Sequence, residues 1–457
     1  MTTTLPTRQL EARRIRPARG THQARAAALL LVIGLGALAV LGLWWHDTAS
    51  ISGLGAWLTN AGRVTGLLAG YGLAVLLVLM SRAPFLEHGL GADTLARWHA
   101  HGGRYTVSLI VTHGLLITWG YAVVAHTNVI RQTDTLLMSY PDVLMATVAG
   151  LMFVGIGVVS ARAARARLSY ETWYHLHLYT YLAIALAFSH QFSTGVDFIA
   201  DWRARALWSA LYIGAAGLVV WYRICVPIRG AFRHRMRVAE IRREAGGVVS
   251  IIITGRDLDE LRAEAGQFFR WRFLTRDGWW QSHPFSLSAP PHWQYLRITV
   301  KNLGDHSNDL QRLKVGTRVL AEGPYGAMTA RRRRRRKVLL VAGGVGITPL
   351  RALFEEIPAR AGDLTLLVRA NREDEIVFRD EIDEIAARRG ANVVYAVGPP
   401  GSPDDPFVTG RLGRVVPDLK HHDVFLCGPP AFMAVASRCI RRCGVPSRHL
   451  HREHFAF

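Results

Sequence analysis

Six runs of 17 to 23 residues with almost no internal charge fill the first half of this chain, and no other feature constrains its fold as much. They lie at Ala24–Trp45, Gly62–Met80, Gly103–Ala125, Val143–Ser160, Trp173–Phe192 and Ala206–Tyr222. A helix rising about 1.5 Å per residue needs about 20 apolar residues to cross a hydrocarbon core of about 30 Å. Six transmembrane helices are therefore expected. The first run is long for a secretory signal, has no small-residue cleavage site after it and precedes five more spans, so it reads as an anchor.

The chain has 457 residues with a net charge of +21, and the placement of arginine explains that charge. Fifteen arginines fall in the N-terminal tail, the loops after spans two and four, and the segment behind span six, against three (Arg131, Arg203, Arg205) in the opposite loops. Positive loops face the cytoplasm, so both termini are expected there, in a plasma-membrane protein. The basic balance then belongs to the lipid bilayer, and no nucleic-acid partner is called for. Four cysteines without a CxxC pair exclude a disulfide scaffold and argue against an iron–sulfur cluster.

The expected domains are a basic tail at 1–23, a transmembrane domain at 24–230, a small antiparallel barrel at 235–330 and an α/β domain at 337–457. In the barrel segment, Val248–Thr254, Gln267–Phe273 and Tyr295–Lys301 alternate as strands do. Beyond it the chain alternates buried-strand and helix patterns. Strands are expected at Val338–Ala342, Leu364–Arg369, Val393–Val397 and Asp423–Cys427, with helices at Pro349–Ile357, Asp380–Arg388 and Ala431–Cys443. Such alternation builds a parallel sheet with crossover helices. Between the two, the run Arg331–Arg336 reads as a solvated linker, or alternatively as a contact for anionic headgroups.

Ionisable residues inside spans mark functional sites. Span three carries His99 and His113, fourteen apart; span five carries His177 and His190, thirteen apart, with His175 nearby. These spacings amount to roughly 21 and 20 Å of helix. Two facing helices so equipped can hold two stacked haems, each gripped by two neutral imidazoles. Rotation separates His99 from His113 by about 40°, but His177 from His190 by about 140° and His175 from His190 by about 60°. Periodicity alone therefore leaves His175 and His177 both open.

Two further constellations suit a flavin and a nicotinamide. His283-Pro284-Phe285-Ser286-Leu287-Ser288, with Lys301 and the turn Gly304-Asp305-His306-Ser307, brings together an aromatic, hydroxyls, a cation and backbone amides. Strand Val338–Ala342 runs into Gly343-Gly344-Val345-Gly346-Ile347-Thr348-Pro349 and then a helix, the arrangement that cradles a dinucleotide phosphate. A second strand ends in Cys427-Gly428-Pro429-Pro430 at the same sheet edge. Arg369 and Arg372, at another strand end, are candidates for a 2′-phosphate and so for NADPH over NADH.

From about residue 25 onward the chain resembles the ferric reductase and NADPH oxidase superfamily: a six-helix haem domain joined to a ferredoxin–NADP reductase-like module. HPFSLS at 283–288, GDHS at 304–307, GGVGITPL at 343–350, CGPP at 427–430 and the C-terminal EHFAF carry the likeness, together with the histidine spacings. The resemblance implies that His99 with His177 ligates one b-type haem and His113 with His190 the other. It implies that His283, Phe285, Ser286, Lys301 and Ser307 contact FAD, and that Gly343 to Thr348 hold the nicotinamide dinucleotide's pyrophosphate. Cys427 would lie near the nicotinamide, and Phe455, or its rival Phe457, would stack on the flavin. Transmembrane electron transfer from NAD(P)H to a small-molecule acceptor outside, a ferric chelate or dioxygen, follows from the resemblance, with no partner protein required. A haem-free scaffold or transport protein and a reductase of a membrane quinone or periplasmic partner are the alternatives.

Overall fold

A computed structural model describes residues 21–454 apart from 47, 49, 50, 162–164, 166, 169, 200, 277, 302–309, 403, 404, 409 and 410. The chain divides into two compact units, cut between Cys225 and Val226.

The first unit is helical. Its principal elements are α1 (Thr21–His46), α2 (Leu54–Leu79), α3 (Pro84–Leu90), α4 (Ala92–Val124), α5 (Val129–Ser139), α6 (Val143–Ser160), α7 (Tyr170–Ser193) and α8 (Trp202–Val220). Five helical stretches among the described residues are long and apolar enough to cross a membrane: Ala24–His46, Leu54–Leu79, Thr94–Val124, Val143–Ser160 and Trp202–His234. The expectation was six. Helix α7, which contains the fifth expected run, is not among them because four tyrosines and three histidines dilute its apolar character.

Helices α2 and α4 pack antiparallel through glycines. A side chain added at Gly55 would meet Val124, one at Gly62 would meet Ile117, and one at Gly66 would strike the His113 ring at 2.5 Å. Gly62, Gly66 and Gly70 stand four residues apart, the small-residue stripe that lets membrane helices approach closely. That approach brings α2 against the imidazoles of α4.

The second unit opens with α9 (Val226–His234) and continues into strands β1 (Arg237–Glu244), β2 (Val248–Thr254), β3 (Phe268–Phe273), β4 (His283–Ser286), β5 (Tyr295–Lys301) and β6 (Val319–Tyr325). They form two three-stranded antiparallel sheets, ordered β1-β2-β5 and β4-β3-β6. Bridges Arg237–Arg318 and Leu287–Ile298 join the sheets to each other. Their shared interior is Ile251, Ile253, Phe269, Trp271, Leu296 and Ile298, all with 0% exposure, as the alternating pattern requires.

The remaining strands β7 (Lys337–Gly343), β8 (Leu364–Ala370), β9 (Asn392–Val397), β10 (His422–Gly428) and β11 (Leu450–His454) make one parallel sheet, ordered β11-β10-β7-β8-β9. Helices α10 (Ile347–Glu356), α11 (Arg379–Arg389) and α12 (Pro430–Arg442) accompany it. Because both faces are covered, β7, β8 and β10 are buried along almost their whole length and not at alternate residues.

Buried charge ties this unit together. Arg297 of β5 forms a bidentate pair with Glu381 of α11 at 2.8 and 2.9 Å and donates to the Ser288 carbonyl at 2.8 Å. Arg351 of α10 reaches the same carboxylate at 3.0 Å and Glu355 at 2.6 Å. Asp423 of β10, fully buried, accepts from the backbone amides of Arg334 and Arg335 and from His449 Nδ1 at 2.8 Å. Against the pull of burial, His451 at 3.5 Å and those three donors hold its carboxyl down at about 2.

The arginine run is only in part the solvated linker expected of it: Arg331, Arg334 and Arg336 are exposed, yet the run is tied down. Arg331 pairs with Glu264, Arg336 with Asp363 at 3.3 Å, and Arg333 and Arg335 donate to carbonyls of Pro358 and His422. Acidic and carbonyl partners distant in sequence fix it to the protein.

Candidate functional site

In the helical unit the four expected imidazoles meet in two pairs. His99 of α4 and His177 of α7 have ring centroids 5.8 Å apart; His113 and His190 stand at 6.2 Å. His175 instead lies edge-on to Tyr174 at 5.8 Å. Both pairs form despite the rotation of about 140° that an ideal helix puts between His177 and His190.

The pairs fit haem ligation in separation and in proton placement. Two imidazoles bound to one metal by bonds of about 2 Å hold their centroids about 6 Å apart. His113 Nδ1 donates to the Gly62 carbonyl at 2.8 Å, and His99 Nδ1 approaches the Leu76 carbonyl at 3.4 Å. A carbonyl only accepts, so the proton of His113 sits on Nδ1 and Nε2 keeps its lone pair. Thr194 donates its hydroxyl to the His190 carbonyl at 2.9 Å, which leaves its oxygen to accept from His190 Nδ1, also at 2.9 Å. Gly62, Gly66 and Thr194 were not singled out in the sequence, although the four-residue glycine spacing was visible there. Elsewhere in the unit, Arg63 of α2 and Asp197 form a buried ion pair at 2.5 Å.

In the second unit, β4 presents His283, Pro284, Phe285 and Ser286 opposite Trp271, Arg270, Phe269 and Phe268. Trp271 Nε1 donates to the Phe285 carbonyl at 3.0 Å, fixing the strand. His283 and Phe285 lie 6.2 Å apart between ring centroids. Ser286 Oγ is buried with no hydrogen-bond partner among the described residues, so it has bonding capacity left for a ligand such as a flavin. Lys301 ends β5 opposite Val248. His306, Ser307 and Phe455, with its rival Phe457, lie outside the described residues.

The glycine-rich segment leaves β7 as expected. Gly343 closes the strand, Gly344 to Gly346 form a single turn, and α10 begins at Ile347. Gly344 is exposed and holds φ +53°, a left-handed conformation that glycine adopts without strain. Gly346 packs so closely on Cys427 that a side-chain carbon would lie 2.2 Å from the Cys427 carbonyl. Ile347, Thr348 and Pro349 are buried, Thr348 donating to the Val345 carbonyl at 2.9 Å, so these three shape the turn from beneath. Gly428 and Pro429 follow β10, and Phe432 of α12 covers both Gly343 and Gly428. Burial, reinforced by nearby Glu453, pushes the Cys427 thiol well above its ordinary range, and it stays protonated.

Arg369 departs from its expected role. Strand β8 runs one residue beyond it, so the side chain is buried and donates to the carbonyls of Ala370 and Ala396. Arg372 is exposed but paired with Asp374.

With this geometry in hand, three matches to known families fall in order along the chain. Residues 65–188 match "Ferric reductase like transmembrane component", 233–329 match "FAD-binding domain" and 340–438 match "Oxidoreductase NAD-binding domain". Together these three matches fit the domain order of the ferric reductase and NADPH oxidase superfamily. A ferredoxin–NADP reductase B of Sorangium cellulosum is 32% identical over 212 residues, covering 42% of this chain and 85% of that protein. The ferredoxin reductase component of a 3-ketosteroid-9-alpha-monooxygenase from Mycolicibacterium smegmatis is 29% identical over 236 residues, covering 50% of this chain. This chain spans 66% of that relative's length. Among solved structures, the FAD/NAD-binding domain of a nitric oxide dioxygenase from Vibrio cholerae is 24% identical, with a TM-score of 0.41, over 49% of this chain and 99% of that one.

Proposed function

We propose that the chain is a transmembrane oxidoreductase that passes electrons from cytoplasmic NAD(P)H through FAD and two stacked b-type haems to a small-molecule acceptor on the outer face, a ferric chelate or dioxygen. On this reading α7 is the sixth span, the six antiparallel strands close as a barrel around the flavin site, and both termini are cytoplasmic, following the arginine distribution. When bound, FAD would supply the chemistry that converts a hydride into single electrons, and the haem irons one-electron redox chemistry.

The chain's own residues hold and orient these groups. His99 with His177, and His113 with His190, would supply paired Nε2 lone pairs, with the Nδ1 bonds of His113 and His190 fixing those two rings. Ser286 would bond the flavin, His283 and Phe285 would flank it, and Lys301 would neutralise phosphate. The exposed turn at Gly344, backed by the N-terminus of α10, would meet the dinucleotide's pyrophosphate. Cys427, kept neutral by burial, would be a packing neighbour of the nicotinamide and not a nucleophile.

The single observation that carries this reading is the double imidazole pairing, at 5.8 and 6.2 Å, between two helices of a unit rich in apolar spans. A reduced-minus-oxidised spectrum of haem-replete membranes should show a b-type signal on adding NAD(P)H. Absence of that signal would mean a reductase module with no transmembrane wire. Running ferric-chelate reduction, superoxide formation and quinol formation on one preparation then identifies the acceptor. Flavin reduction by stopped flow, with NADH and NADPH at equal concentration, identifies the donor.

A further inference from the structure

We infer that Glu381 is a positioning residue for the hydride step: by joining Arg297 to Arg351 it sets how the flavin strand stands to the helix that carries the nucleotide turn. This rests on the FAD and NAD(P)H reading above and is independent of the haems.

The contacts run without a break from one binding element to the other. Ser288 lies two residues beyond Ser286, and its carbonyl accepts from Arg297 Nη2 at 2.8 Å. The Ser288 hydroxyl accepts from Thr299 at 2.7 Å, and Thr299 in turn accepts from Ser250 at 2.8 Å, so three buried hydroxyls pin this segment. Arg297 then forks onto both oxygens of Glu381, at 2.8 and 2.9 Å. The second of those oxygens also meets Arg351 Nη2 at 3.0 Å. Arg351 is four residues past Ile347, where α10 leaves the Gly344–Gly346 turn. One carboxylate therefore joins the flavin strand to the nucleotide helix.

This tie is built for geometry more than for cohesion. Both guanidiniums are buried, and Nε of each has no hydrogen-bond partner among the described residues. A buried ionic tie with donors left unmade is a costly way to stabilise a fold, and apolar packing would serve better. What it supplies is direction, because a forked guanidinium meets a carboxylate in one arrangement whereas apolar faces can slide. The backbone beside it agrees. Phe378, at the N-terminal cap of α11, holds φ +65° with the Arg297 guanidinium 4.8 Å over its ring. A buried aromatic keeps that left-handed conformation only where its surroundings over-determine it. Against the pull of burial, Arg297 and Arg351 hold the Glu381 carboxyl below the ordinary carboxylate range, so the tie stays charged at neutral pH.

Hydride transfer breaks a nicotinamide C–H bond, and the hydride carries its electron pair to the flavin. The reacting atoms must stand about 3–3.5 Å apart, and a misplacement of about 1 Å can cost about a hundredfold in rate. Loosening Glu381 leaves each element's own contacts with its ligand in place. It should therefore slow transfer at saturating nucleotide without weakening nucleotide binding.

Anaerobic stopped-flow mixing of the FAD-loaded, full-length chain with NADH or NADPH, whichever reduces the parent faster, tests this. Glu381→Gln should lower the limiting rate of flavin reduction by about tenfold to a hundredfold. It should also weaken the long-wavelength charge-transfer absorbance of stacked nicotinamide and flavin, with the half-saturating nucleotide concentration within about twofold of the parent. Arg351→Gln should move both quantities in the same direction, and it keeps the test open should Glu381→Gln lose FAD. Asp423→Asn is the control for lost stability: Asp423 sits at the opposite, amino end of the parallel sheet, so rate and absorbance should stay as in the parent. A parent-like rate and absorbance in Glu381→Gln overturn the proposal, as does an equal loss in Asp423→Asn. A parent chain that takes up no FAD, or whose FAD neither nucleotide reduces, overturns the cofactor reading itself.

Discussion

Buried polar groups mean different things in the two units. In the helical unit one polar cluster stands out: the four paired imidazoles, the carbonyl of Gly62 and the hydroxyl of Thr194. In the reductase unit buried polar groups are dense and sit away from the nucleotide turn. Glu381 joins Arg297 and Arg351, and Asp423 gathers two amides and His449. Lipid offers no competing water, so a polar side chain retained there needs a specific reason. A water-facing α/β unit can bury a paired charge merely to fix one element against another. The same chemistry therefore signals function in one half and architecture in the other.

The sharpest way to break that contrast is His113→Ala. On the proposed haem reading it should cost one of two haems, read as a halved haem content per chain, while reduction of a soluble dye by NAD(P)H through the flavin persists. Full haem content would remove the functional meaning of the pair. In the reductase unit, Asp423→Ala should destabilise by about 3–5 kcal/mol, because it strands buried donors. Thermal release of FAD from the full-length chain measures it, and an unchanged transition would deny Asp423 its architectural role.

Acid should act through the same carboxylate. Its folded-state value of about 2 lies below the ordinary 3.8, so its contribution is complete above that ordinary value and is lost as pH falls through about 2. Acid-driven FAD release should therefore steepen across that window in the parent protein and flatten in Asp423→Asn. Glu381→Gln should cost less, about 1.5–3 kcal/mol, since its amide oxygen still accepts a bond from an arginine. The smallest effect belongs to Arg334→Ala, within about 0.5 kcal/mol, because Asp423 is bonded by the backbone amide there and not by the side chain. Arg334→Pro, which deletes that amide, should exceed it clearly in the same melting experiment.

What could be read from the sequence followed a physical divide. Apolar runs and histidine spacings are local, so five of the spans and the matched histidine spacings were legible from residue order, while the choice of His177 over His175 came only with the family resemblance. Strands β2, β3, β5, β7, β8 and β10 were legible too, from alternation or unbroken burial. Strand β4 and edge strands β1 and β11 carry arginines, histidines and proline in place of a clean pattern, and no periodicity announces them. Properties set by distant partners were beyond reach. Six consecutive arginines look like a solvated tether until Asp423, Asp363 and Glu264 are seen to fold back on them. Arg369 looks available until β8 is found to continue past it. The glycine stripe of α2 lies between these cases: its spacing was printed in the sequence, but its purpose depended on knowing which ring it faces.

That purpose separates two demands that hydropathy cannot distinguish. The insertion machinery weighs only how greasy a segment is, and alanine at position 66 would satisfy it as well as glycine. The ring of His113 lies where that one extra methyl would stand. Gly66→Ala should therefore give a protein that reaches the membrane in full amount, with its topology intact, but with the His113 ring displaced. Expression level and correct insertion are then no guide to whether the imidazole pairing of this chain is intact.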